Sequence, residues 1–209
     1  MTNSPLALQL VGPTDPLLNQ VAQKVTRDEI NADGIQAVIA GMLKLSAGKG
    51  HTKADSRQMV GLAAVQVGVD KRIISIDLAA DGSNKQQDLL IVINPTIAIR
   101  SAATMPGREG CWSCGDICGN VERAKEVTLE GLDRHGKPLR LHLVDFAARI
   151  AQHETDHLDG IRFPDRIPKD HPERLHLVRP AEFEAYRQNW QNWPVVCPRE
   201  TWESMKAGM

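Results

Sequence analysis

The stretch DFAARIAQHETDHLDG, residues 145–160, carries the pattern on which the reading of this chain turns. Phe146, Ile150, Ala151 and Leu158 form an apolar stripe, Asp145 is a suitable N-cap and Gly160 a suitable stop. Residues 145–159 therefore read as a helix. Inside it lies His153-Glu154-Thr155-Asp156-His157. Residues four apart on a helix share one face, with Cβ atoms roughly 5–6 Å apart, so the two imidazoles can converge on one divalent ion. Glu154 then stands where it can handle the protons of a water polarised by that ion. Two surface histidines that fall four apart by chance are the plain alternative. Against it, a core-facing stripe with two histidines and a carboxylate is costly unless something compensates, and a metal does so.

Working outward, 126–133 and 137–144 are strand-like runs joined by Asp133-Arg134-His135-Gly136, the turn chemistry of a hairpin. Further strands are expected at 72–78, 89–94 and 96–100. Helices are expected at 16–28, 31–46 and from Pro180 to about Gln191, with Asn31 or Asp33 capping the second. The polar, Gly-containing stretch 46–57 reads as a loop. Strands in the middle and helices at the ends argue for an α+β fold rather than a doubly wound sheet.

The chain has 209 residues, 42 % of them apolar and 24 % charged, which suits one soluble domain. Its formal net charge of -1 argues against strong attraction to nucleic acid or anionic membrane. No apolar run reaches membrane-spanning length, and the first residues lack the pattern of a secretory signal. Cys111, Cys114 and Cys118 crowd together while Cys197 lies far away, which reads as metal or thiol chemistry in a reducing compartment, the cytoplasm.

A catalytic metal site wants a third protein ligand and one open position. Glu109-Gly110-Cys111-Trp112-Ser113 offers a thiolate beside a glycine, although Cys111 taken alone reads as readily as a small buried hydrophobe. Gly61-Leu62-Ala63-Ala64-Val65-Gln66 offers close backbone packing and, in Gln66, an amide donor for an oxyanion.

In order, Gly-Leu-Ala-Ala-x-Gln, Glu-Gly-Cys-x-Ser and Gln-His-Glu-x-Asp-His-Leu resemble the three motifs of the peptide deformylases. The likeness extends over residues about 8–170, through Leu10-Val11-Gly12, Val121-Glu122-Arg123 and Asp165-Arg166-Ile167. It implies antiparallel sheets around a central metal-binding helix, and hydrolysis of the N-formyl group from the initiator methionine of new proteins. It further implies Cys111, His153 and His157 as metal ligands, for Fe(II) in the first place, with zinc, nickel or cobalt as substitutes. Glu154 would be general base and then acid. Gln66, through its side chain, and Trp112, through its backbone N–H, would be oxyanion donors. Val60, Gly61 and Gly110 would bind substrate. The whole chain, 1–209, would form one such domain, with an insertion at about 46–57 and a C-terminal extension at about 170–209.

Three positions depart from the family pattern. Met59 stands where a glycine is usual, Trp112 where an aliphatic residue is usual, and Cys118 where an arginine usually supports the peptide. The C-terminal extension is slightly acidic, and Trp190, Trp193 and Trp202 suggest packing onto the body. Rival readings are a metalloprotease, a thiol protease using Cys111, a deformylase or amidase for a small N-formyl substrate, and a non-catalytic iron–sulfur or zinc site from Cys111, Cys114 and Cys118. The remaining histidines, 51, 135, 142, 171 and 176, read as structural or solvated.

Overall fold

Asp133 closes the expected hairpin. Its carboxylate accepts from the amides of His135 (2.8 Å) and Lys137 (2.9 Å), and Gly136 takes the positive φ that the turn requires. The computed structural model describes residues 6–49, 59–80 and 88–208. Most of the expected loop at 46–57, and His51 within it, lie outside the described residues.

The strands are β1 (Gly61–Ala63), β2 (Ile73–Asp77), β3 (Leu89–Arg100), β4 (Thr104–Gly110), β5 (Ile117–Ala124), β6 (Glu126–Leu132), β7 (Pro138–Val144) and β8 (Leu175–Leu177). The helices are α1 (Arg27–Ile30), α2 (Asp33–Ser46), α3 (Asp145–Leu158), α4 (Phe183–Asn189) and α5 (Arg199–Lys206). One antiparallel sheet has the order β1-β2-β3-β6-β7 and a second the order β4-β5-β8. The architecture is α+β, as the order of elements implied.

The larger sheet is covered on both faces. Ile74, Ile76 and Val92 pack with Ala148, Ile150 and Ala151 of α3, while Ile73, Ile91 and Ile93 pack with Ile35, Ile39 and Met42 of α2. This is why every residue of β2, Ser75 and Asp77 included, is buried rather than every second one. Each of these Ile, Val and Met side chains removed from water contributes about 1.5–3 kcal/mol. The smaller sheet has its own core of Ile117, Val121, Phe163, Ile167 and Trp202.

Four local expectations change. Neither Asn31 nor Asp33 caps α2: Ala32 stands at its N-cap position, with no side-chain bond. Residues 16–28 are not one helix: Pro16–Asn19 make a single 3-10 turn, and the chain then runs extended until Thr26 caps α1. Backbone pairing wins there, with Ala22 N–H bonded to Leu158 O (2.8 Å) and Arg72 N–H to Gln23 O (2.8 Å). The runs at 89–94 and 96–100 are a single strand that continues through an irregularity, where Asn94 takes a positive φ and the register shifts past Pro95, which has no N–H for the ladder. Asp145 is the first residue of α3, not its cap; Val144, the last residue of β7, stands at the N-cap position without a side-chain capping bond, since strand passes directly into helix. Gly160 ends α3 with positive φ, as expected. The helix foreseen from Pro180 is α4 flanked by two 3-10 turns.

The C-terminal segment packs onto the body through Trp202, which is 1 % exposed. Its indole N–H donates to Asp165 (2.9 Å), and the Arg162 guanidinium lies 4.5 Å from its ring. Trp202→Ala is expected to destabilise the protein by about 3–5 kcal/mol, seen as a melting temperature lower by roughly 10 °C. A loss under about 1 kcal/mol would mean that α5 adds little to the fold.

Candidate metal centre and active site

α3 sets His153 and His157 one turn apart, with ring centroids 4.9 Å from each other. Cys111 follows β4 and opens the 3-10 turn Trp112–Cys114. Its sulfur lies 3.3 Å from His157 Nε2, and one ligand atom from each of the three residues falls within 4.8 Å of the others. A tetrahedral ion with bonds of about 2.3 Å to sulfur and about 2.1 Å to nitrogen keeps those atoms about 3.6 Å apart, so the donor set fits a divalent metal. Among the described residues this is the one group of three such donors, and neither Cys114 nor Cys118 belongs to it. The site could therefore hold a metal on one thiol and two imidazoles, not on three thiols. All four cysteines are free.

The electrostatics support a thiolate. The Cys114 thiol, bonding to Cys111, holds Cys111 well below the usual thiol range, with His157 adding to the effect; burial in turn pushes Cys114 well up. Gln66 fixes the other side of the sulfur. Its Oε1 accepts from the Ala63 amide (2.8 Å), so its NH2 must face the site, where it donates to Cys111 Sγ (3.3 Å) and Ser113 Oγ (3.1 Å). The Trp112 side chain is half exposed at 51 %, and its amide N–H, at the first position of the 3-10 turn, makes no hydrogen bond among the described residues.

Glu154 is buried on the same helix, between the two histidines in sequence. Burial pushes its carboxyl up to about 7, and its Oε2 has no hydrogen-bond partner among the described residues. Gly61 is pressed against it: a Cβ there would sit 2.3 Å from Glu154 Oε1. Only a bare backbone can pass so close to that carboxyl. Gly61 opens the outer strand of one sheet, directly after Val60, and Gly110 ends the outer strand of the other. The two free strand edges thus flank the cluster.

Sequence reasoning missed the shell behind the three candidate donors. Glu109 is buried and bonds His153 Nδ1 (2.8 Å), which aims the other ring nitrogen at the cluster. Arg123 grips Glu109 with two bonds of 2.9 Å, and Arg149 adds a third of 2.7 Å. Arg123 also reaches Asp156, which Arg166 holds from outside. Burial opposes the charge on Glu109, yet Arg123 and His153 hold it well below the usual carboxylate range. Glu109 and Arg123 both stand in stretches noted from sequence, but nothing in their spacing shows that they meet. Among the described residues the other histidines are structural or solvated as read: His176 is buried against the Tyr186 hydroxyl (2.9 Å), His142 is exposed beside Glu126, and His171 is half-exposed beside Glu173.

Comparison with known proteins follows the same lines. The family model described as polypeptide deformylase matches residues 7–173. The chain is 43 % identical over 116 residues to a peptide deformylase of Syntrophomonas wolfei, covering 56 % of this chain and 71 % of the relative. It is 37 % identical over 160 residues to peptide deformylase 2 of Vibrio vulnificus, covering 77 % and 86 %. Among solved structures it is similar to a class I type b peptide deformylase from Acinetobacter baumannii with Met-Ala-Ser bound. There the TM-score is 0.67 and the identity 30 %, over 78 % of this chain and 100 % of that one. With motifs, fold and convergent donors in agreement, the chain belongs to the polypeptide deformylase family, metal-dependent hydrolases that remove the N-formyl group from nascent peptides.

Proposed function

We propose that this chain hydrolyses the formyl group from N-formylmethionyl peptides and releases formate, with Cys111, His153 and His157 holding one divalent ion, Fe(II) in the first place. The carrying observation is the meeting of that donor set with a buried carboxyl, Glu154, on one helix face. A thiolate with two imidazoles suits iron, zinc, nickel or cobalt, and the family resemblance favours iron. A divalent ion bound there supplies Lewis acidity and makes a water nucleophilic near neutral pH.

The chain's own groups do the rest. An extended substrate lies between the free edges at Val60–Gly61 and Gly110, its backbone adding to each as a strand would. Glu154 takes the proton of the attacking water as a bond forms to the formyl carbon. Gln66 Nε2 and the Trp112 N–H hold the negative oxygen of the tetrahedral intermediate, where one lost donor typically costs about 10²–10³ in rate. Glu154 then gives its proton to the departing amine as the C–N bond breaks, leaving formate and a free N-terminus.

We also read the chain as one catalytic unit, residues 1–209, working in the cytoplasm, where its free thiols stay reduced. No helix of the described residues is long and apolar enough to cross a membrane.

Anaerobic loading with Fe(II), followed by assay of formate from formyl-Met-Ala-Ser, tests the proposal. Chelation should abolish turnover, and restoring the ion should restore it. Formate release that persists in verified metal-free protein would remove the metal from the reaction. No release from any loaded form would remove the reaction itself.

A further inference from the structure

Arg108 lies three residues before Cys111 and forms no ion pair among the described residues. It lies on β4 two residues before Gly110, so the two share one strand face. On that face a Cβ at Gly110 would lie 2.9 Å from Cys118 Sγ and 4.0 Å from Phe183 Cε2. The Arg108 guanidinium sits 5.6 Å from the centre of the Phe183 ring. Phe183 opens α4, so the C-terminal extension supplies one wall of this corner.

The guanidinium is half-buried, and it makes no hydrogen bond or ion pair among the described residues. Burial, and the Arg187 charge nearby, hold it below the ordinary arginine value. Glu184, the carboxylate that acts on it across space, is already engaged by Arg187 at 3.8 Å and Gln188 at 3.4 Å. Five donors in a planar fork, partly withdrawn from water and stacked on an aromatic ring, form an incomplete site for a planar anion.

We propose that Arg108, backed by Phe183, binds a carboxylate of the substrate lying within three residues of the formyl group. This rests on the deformylase reading of the neighbouring cluster. An extended chain advances about 3.3 Å per residue, and three positions of β4 separate Arg108 from Cys111. A substrate whose formyl group is at Cys111 therefore brings its second or third residue alongside Arg108. The carboxylate is the free C-terminus of a short formyl-peptide or an acidic side chain.

Calorimetric titration of the metal-loaded protein with Met-Ala-Ser, Met-Ala-Ser-amide and Met-Ala-Asp-amide separates the two sources. At least one carboxylate-bearing peptide should bind about tenfold more tightly than Met-Ala-Ser-amide, the worth of one charge-assisted contact. Arg108→Gln should erase that preference, and Arg108→Lys, which keeps charge without the fork, should retain part of it. Equal binding of all three peptides to the unaltered protein, no measurable binding of the acids, or a preference that survives Arg108→Gln would each overturn the proposal. Formyl-Met-Ala-Ser and its amide are assayed in parallel. Turnover with no preference sinks the carboxylate site alone, whereas a preference in binding without turnover sinks the deformylase reading alone.

Discussion

Glu154→Gln is expected to keep its full complement of metal and to lose roughly 10²–10⁴ in kcat for formate release. The substitution keeps shape and removes the one property the proposed reaction asks of this residue, a proton that can be taken up and given back. Glu154 suits that exchange because burial brings its carboxyl up to about 7, so both protonation states are accessible near neutrality. Its Oε2 is unpartnered among the described residues, while Gly61 closes against Oε1, which confines it without a competing charge partner. Metal content, melting temperature and kcat should be read on the same preparation. Metal retained with activity within tenfold of the parent would remove Glu154 from proton transfer. Loss of the metal would move its role into the coordination shell.

The second large effect belongs to a residue that touches neither metal nor substrate. Arg123→Met is expected to lower stability by about 3–5 kcal/mol, with a melting temperature reduced by roughly 10 °C. Arg123 lies between two buried carboxylates, Glu109 and Asp156, and its own side chain is buried with them. Removing the cation leaves Arg149 on one acid and Arg166 on the other, which is why the expected loss stops short of complete unfolding. Because Glu109 aims His153, metal affinity should also fall by about 10–100-fold. A melting shift under about 3 °C with unchanged metal retention would show that Arg149 and Arg166 alone suffice.

These two residues mark the limits of what could be read in advance. Glu154 was assigned from the spacing around it. His153 and His157 needed only helical periodicity, and the hairpin needed only its turn residues and flanking alternation. Arg123 was visible as part of a familiar stretch, but its contacts with residues 14 and 33 positions away leave no periodic trace. The extended run after Asn19 misled for a related reason. Its apolar residues fit a helix, yet its backbone found partners at Leu158 and Arg72.

By itself, then, the sequence determined those features that repeat within one element: the helix carrying the paired imidazoles, the alternation that builds strands, and the glycines at turns. Side-chain period is a local property, fixed by 3.6 or 2 residues per repeat. The family resemblance had already named Cys111 and the Gln66 side chain; only the tertiary structure decided how that sulfur and amide stand against the imidazoles, and which arginines neutralise the buried acids. Those are contacts through space between residues far apart in the chain. They are settled when two sheets and a helix close around one another and most buried polar groups find a partner.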